Sequence, residues 1–279
     1  GQRIVGLGQD AHEVGLGHDA DEAAVVDALR LARGMTYKAC LAGLAHGGGK
    51  SVIIRPRDAF DRVALFRAFG QFIEDLGGHY ITAEDSGTSM DDMETIHAVT
   101  RHVTGIDPSH GGSGDPSPYT ALGVRRGIEA CVKNRLGRAS LEGIHVAVQG
   151  VGHVGYYLCK ELHALGAKLS VADIDPLKAE RATREFGASV APLDKIAALD
   201  CDVFAPCALG AGINDETVPQ LKAPIVAGAA NNQLAESRHG DDLHARGILY
   251  APDYAINAGG LVNVAQEVLG YDEGKSREK

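Results

Sequence analysis

Two lysines and one carboxylate in this chain have the types and settings that proton chemistry asks for. Lys50 follows Gly47, Gly48 and Gly49, so backbone packs close to it with little side-chain cover of its own. That setting suits an ammonium that must give up its proton to act as a catalytic group. Lys38 lies late in a helical stretch upstream. Downstream, Thr82-Ala83-Glu84-Asp85 ends a short strand, where a carboxylate can point into a cleft. The triplet Gly49-Lys50-Ser51 imitates the end of a phosphate-binding P-loop. Leu44 stands where G-x-x-x-x-G-K-S requires its first glycine, so the P-loop is rejected.

A second constellation is Gly150-Val151-Gly152-His153-Val154-Gly155, a G-x-G-x-x-G run. Alone the motif is weak. Here it follows an expected strand, opens an expected helix and precedes a strand ending in Asp173, the full context of a dinucleotide fingerprint. Gly150 permits the tight turn, Gly152 lets a pyrophosphate approach backbone, Val154 begins the helix and Gly155 allows helix and strand to pack closely. The helix N-terminus then offers free N–H groups and a positive dipole end to phosphate. Asp173 is placed to accept bonds from the adenine ribose hydroxyls, and its charge repels a 2′-phosphate, so NAD is expected rather than NADP. The competing reading is a structural strand–helix turn in some other α/β protein.

The elements that must position these residues follow from periodicity. Ala24, Val25, Ala28, Leu31, Ala32 and Met35 recur at helical spacing, with Asp19 or Asp21 as cap and Gly43 as terminator. A strand over 51–55 comes next, then a helix opened by Asp58 and closed by Gly77-Gly78, a strand over 79–82 and a helix near 88–100. The loop 110–117 marks a boundary, and a helix over 118–136 leads across it. Strands are expected at 144–149, 168–173, 203–205, 225–227 and 248–250. Helices are expected at 154–165, 176–186, 215–221 and 259–269. That alternation predicts an α/β chain: a Rossmann-type, doubly wound parallel sheet over 119–254, beside a second, smaller α/β substrate domain. The smaller domain comprises residues 1–118 with a return helix in 255–279.

Bulk properties narrow the partners. With 279 residues the chain is long enough for one large or two medium domains. A net charge of −10 disfavours nucleic acid and anionic membrane, so small anions need a local cluster of lysines. The five cysteines, Cys40, Cys131, Cys159, Cys201 and Cys207, have no C-x-x-C spacing. Neither a disulfide framework nor a zinc site is indicated, and the histidines form no H-E-x-x-H cluster; no metal is expected. No apolar run reaches membrane length and no signal segment opens the chain, so a cytoplasmic location is expected.

Residues 32–38, 47–51, 80–87, 112–118, 204–210, 231–234 and 251–260 together resemble the amino-acid dehydrogenases that act on leucine, valine and phenylalanine, the Glu/Leu/Phe/Val dehydrogenases. The resemblance runs from about residue 23 to 271. It implies reversible, NAD-dependent oxidative deamination of an L-amino acid to its 2-oxo acid and ammonia, in a homo-oligomer. By the same resemblance, Lys38 pairs with the substrate carboxylate. Lys50 activates water and polarises the developing carbonyl, and Asp85 is the general acid/base for the amino group. Asn232 resembles the residue that fixes substrate or nicotinamide ribose, and Thr120 the one that holds the carboxamide. Side-chain specificity looks set by Ala83, Leu261 and Val264, all small or aliphatic, which implies a branched aliphatic substrate. Core packing is the competing reading of those three. The family pattern also has a glycine pair followed by Thr-Arg ahead of the first helix, where this chain has residues 10–14 and does not match. Relative to that pattern the chain is shortened at both ends. An alternative of another class therefore stands beside the enzyme: a catalytically weak NAD-binding protein of the same ancestry with a regulatory or assembly role.

Overall fold

In a computed structural model, residues 2–8, 20–54, 56, 58–85, 87–208, 210–269 and 273–274 are described. The unmatched stretch 10–14 and the candidate cap Asp19 lie outside them. The chain divides into two units. One runs to Pro116 and resumes at Leu261, and the other is Ser117–Gly260.

The second unit is built on a six-stranded sheet in the order β10-β9-β8-β5-β6-β7, with every pairing parallel. The strands are β5 (His145–Gln149), β6 (Lys168–Ala172), β7 (Ser189–Val190), β8 (Val203–Pro206), β9 (Ile225–Val226) and β10 (Leu249–Tyr250). Strand side chains alternate faces, and both faces are apolar. Val146 and Val148 of β5 join one core with Val203 and Ala205, while Ala147 joins the other with Phe204. That double burial requires cover on both sides. Helix α4 (Ser117–Leu136) and helix α5 (His153–Ala164) supply it on one, burying Val124 and Ile128, and Gly155, Leu158, Cys159 and Leu162. Strand order reverses at β5, which lies between β6 and β8, so the carboxyl ends of β5 and β8 form the switch point where such sheets bind ligands.

Some expectations required correction. The helix expected at 215–221 is only a 3₁₀ turn, Val218–Gln220. Pro219 sits inside it, and the Asn214 side chain accepts from Glu216 N and Thr217 N, a local turn that competes with helix. Helix α7 (Arg238–Ala245) was not foreseen, because it buries only His239 and Leu243 and leaves no apolar period. Residues 255–260, expected with the smaller domain, fall in the sheet unit, where Ile256 joins its core and the backbone of Gly259 lies against Tyr119.

In the first unit, β1 (Gln2–Gly8) pairs in parallel with β2 (Gly48–Ile54), and β3 (Thr82–Ala83) with β4 (Val103–Thr104). The pattern missed β1 because it is glycine-rich, and β4 because two residues carry no period. Helix α1 spans Ala20–Leu41, with Asp21 inside it and not at its cap. Helix α2 (Arg62–Asp75) is capped by Asp61, whose side chain accepts from Ala64 N at 3.0 Å; Asp58 lies upstream. Helix α3 (Met90–His97) begins with a capping box between Ser89 and Asp92. The helix expected over 259–269 splits into α9 (Gly259–Ala265) and a 3₁₀ turn, Glu267–Leu269.

Candidate functional site

In the first unit the glycines before Lys50 have a concrete purpose. A Cβ on Gly48 would overlap Thr36 and the Ala32 carbonyl, so only glycine lets β2 press against α1. That contact joins the strand carrying Lys50 to the helix carrying Lys38, and both lysines are buried, each 6% exposed. Buried ammonium groups demand partners. Lys50 Nζ donates to Asp85 Oδ2, an ion pair across two elements in which the lysine side chain is 2% exposed.

Asp85 sits just past β3, and local bonds fix its backbone. Thr88 Oγ1 accepts from Asp85 N at 2.8 Å and donates to Asp85 O at 2.7 Å, and Thr88 N donates to the same carbonyl at 3.0 Å. Arg62 at the start of α2 holds the other end of the loop, donating to Gly87 O at 2.8 Å and bidentately to Asp92 at 2.8 and 2.7 Å. Burial pushes Asp92 up, but the Arg62 and Ser89 hydrogen bonds outweigh it and hold that carboxyl below the usual range. Glu84 is the opposite case. Burial, then the charges of Asp115, Asp92 and Asp85, push it up to about 7. Its Oε2 is buried with no hydrogen-bond partner.

Leu261 and Val264 of α9 are brought together with Met35 and Ala39 of α1 in one buried cluster, with Leu44 at its edge. Ala83 is equally buried, but it lies on β3 two positions before Asp85 and is not part of that cluster. The segment after α9 is tied down by Glu267, whose Oε1 accepts from Gly105 N and Ser113 N, each at 2.8 Å, and from the Ser113 hydroxyl.

In the second unit the glycine loop has the form a phosphate requires. Gly150 has φ +93°, and a Cβ there would lie 2.6 Å from Ala208 N. A Cβ on Gly155 would run into the Gly150 carbonyl, so α5 can start this close to the strand only with glycine there. Gly152 caps α5 with no side-chain hydrogen bond and no atom within 4 Å of where its Cβ would be. Uncapped helix N–H groups above open space fit an anionic pyrophosphate. Asp173 lies one residue past β6 and braces the loop: Oδ2 accepts from Val151 N at 2.6 Å and Oδ1 from Asp175 N at 2.9 Å. Val154 is half-buried in the first turn of α5, and Thr120 half-buried in the first turn of α4. Asn232 is half-buried with φ +49°, a left-handed conformation that asparagine tolerates better than most residues. Its carbonyl accepts from Ala211 N at 2.7 Å.

Pattern reading passed over Arg62, Thr88 and Glu267 and gave Glu84 no role. A surface-type arginine, a loop threonine and two glutamates carry no motif: the partners of Arg62 and Glu267 lie far along the chain, Glu84 is set apart by burial, and Thr88 bonds the backbone three residues before it. Among the described residues, no group of three or more His, Cys, Asp or Glu is placed to hold a metal ion, and no helix is long and apolar enough to cross a membrane.

Comparison with known proteins points to one family of dehydrogenases. A sequence profile described as "Glu/Leu/Phe/Val dehydrogenase, dimerisation domain" matches residues 16–102. A second, "Glutamate/Leucine/Phenylalanine/Valine dehydrogenase", matches residues 111–176 and 172–274. The chain is 56% identical over 262 residues to a leucine dehydrogenase of Bacillus cereus, an alignment covering 94% of this chain and 72% of that protein. It is 52% identical over 258 residues to an L-tryptophan dehydrogenase of Nostoc punctiforme, covering 92% of this chain and 72% of that one. A crystal structure of L-tryptophan dehydrogenase from Nostoc punctiforme superposes with a TM-score of 0.75 at 46% identity, covering 99% of this chain and 76% of the other.

Proposed function

The chain belongs to the Glu/Leu/Phe/Val dehydrogenase family and is an amino-acid dehydrogenase, and from that premise we propose that it deaminates a branched aliphatic L-amino acid, leucine- or valine-like, to its 2-oxo acid and ammonia with NAD. The observation that carries the reading is the buried Lys50–Asp85 ion pair. A buried ammonium in contact with a half-buried carboxylate forms a proton-transfer couple, and the same unit holds the aliphatic cluster of Leu261 and Val264.

A bound nicotinamide would supply the acceptor for the hydride of the substrate Cα. The protein's own groups do the rest. Lys38 pairs with the substrate carboxylate, Asp85 exchanges protons with the amino nitrogen, and Lys50 takes a proton from the attacking water and steadies the oxyanion character that follows. Gly150, Gly152, Val154 and Gly155 would hold the pyrophosphate, with Asp173 serving the ribose and Thr120 and Asn232 the nicotinamide end. Leucine as the substrate class is supported by the leucine dehydrogenase relatives. The tryptophan enzyme at 52% identity shows that the family framework also serves an aromatic substrate, so the choice rests on Ala83, Leu261 and Val264. A homo-oligomer is part of the proposal, supported by the match of residues 16–102 to a profile described as a dimerisation domain, and so is a cytoplasmic location.

The test is NADH absorbance with a panel of L-amino acids, on the native chain and three variants. Leucine or valine turns over faster than phenylalanine, tryptophan or glutamate, and NAD serves better than NADP. Lys50→Ala and Asp85→Asn each lower kcat by about 10²- to 10⁴-fold with NAD affinity little changed. Lys38→Ala acts mainly on KM, by roughly 10- to 100-fold, since a charge-assisted contact is lost. Near-native rates in both Lys50→Ala and Asp85→Asn would show that the site lies elsewhere.

A further inference from the structure

Glu84 immediately precedes Asp85, and the mechanism above gives it nothing to do. Its Oε2 is closed off from solvent without a hydrogen-bond partner, where the loss of hydration costs a carboxylate far more than a neutral carboxyl. The nearby cations are committed: Lys50 of β2 to Asp85, and Arg62 of α2 to Asp92 of α3. Among the described residues, the other charges that act on it are acidic. Asp115 on the approach to α4, Asp92 and Asp85 each oppose its ionisation. From the β4 side, Gly105 brings only backbone, with the place of its Cβ 3.5 Å from Glu84 N, and the N–H of Gly105 is taken by a further carboxylate, Glu267.

Resting on the reading of Lys50 and Asp85 as the acid–base couple, we propose that Glu84 stores a proton beside that couple and, by ionising, sets how tightly the couple holds its own. While Glu84 is neutral, Asp85 is one negative charge facing one ammonium. Once Glu84 ionises, the adjacent charge makes Asp85 more basic and holds the proton of Lys50 more firmly. That Glu84 is pushed up to about 7 places this change near neutrality. Glu84 acts through the couple and touches no reacting atom, so the readout is the pH profile.

The experiment measures kcat/KM for leucine deamination against pH in the native enzyme, Glu84→Gln and Glu84→Ala. Both variants remove the charge while changing shape differently. The expected result is that the rising limb moves to lower pH by about half a unit to one unit in both, as loss of one nearby negative charge requires. Profiles that superimpose on the native one overturn the inference while leaving the proposed activity intact. Infrared titration of the native protein gives an answer that needs neither variant to fold nor any turnover. It shows a carboxylic-acid carbonyl band lost as the pH passes through neutrality, and absence of that band overturns the inference. A native protein that has the band but turns over no amino acid overturns the proposed function and supports the stored proton.

Discussion

Asp85 keeps its direction because Thr88 closes a tight turn on it, taking its N–H and bonding its carbonyl. Removing that hydroxyl leaves a part-buried N–H without a partner, which costs about 1–3 kcal/mol, and frees the carboxylate to swing away from Lys50. Thr88→Val, nearly the same shape, is therefore expected to lower kcat by roughly tenfold or more with NAD affinity unchanged. Thr88→Ser, which restores the hydroxyl, recovers most of the loss. Steady-state kinetics on the two variants checks this, and a native-like kcat in Thr88→Val would mean that the hydroxyl's hydrogen bonds do not matter at this position. Lys50 stood out in the sequence because an ammonium after three glycines is an unusual setting, whereas Asp85 was singled out from its neighbour Glu84 only through the family resemblance. Thr88 was not legible, since a threonine in a loop looks the same whether it bonds a neighbour's backbone or faces water.

At the scale of elements, the segment that carries Leu261 and Val264 stays in place through one carboxylate. Glu267 collects Gly105 N, Ser113 N and the Ser113 hydroxyl on a single oxygen. Burial pushes that carboxyl up, and the three donors pull it partly back. Glu267→Ala leaves two backbone N–H groups unpaired and is expected to cost about 1–3 kcal/mol per group, read by urea unfolding. Because Leu261 and Val264 pack on Met35 and Ala39 beside Lys38, the same variant raises the KM for the amino acid and blurs leucine against phenylalanine. An unchanged KM would separate the anchor from the pocket. The glycine loop needed no such tertiary anchor to be recognised, since strand, glycines, helix and acid are consecutive in the chain. The helix expected over 215–221 went wrong for a local reason: apolar spacing is outvoted where Asn214 and Pro219 build a turn.

Across the whole molecule, the net charge of −10 is unevenly tolerated. Most acidic side chains can face water, whereas Glu84 faces three other carboxylates in partial burial. Its folded value of about 7 stands above the ordinary 4.5, so the folded state binds the proton more tightly than the unfolded chain. The stability this contributes is fully present below about 4.5 and is lost as the pH rises through about 7. Measured by urea unfolding across that window, the native protein should lose stability relative to Glu84→Gln as pH rises. A difference that stays constant with pH would show that Glu84 titrates normally.

The sequence by itself determined the parts whose signal is consecutive: the alternation of strands and helices, the glycine turn between β5 and α5, and the motifs that resemble one dehydrogenase family. Each depends on neighbours within a few tens of residues, so spacing alone carries it. The tertiary structure decided what depends on distant residues meeting. It set the sheet order with its reversal at β5, put Lys50 on Asp85, and packed Leu261 and Val264 on α1. It also decided which side chains water can reach. Burial is a property of the whole packed unit, and that is why Glu84, unremarkable in the sequence, emerges in the fold as a carboxyl that resists its charge.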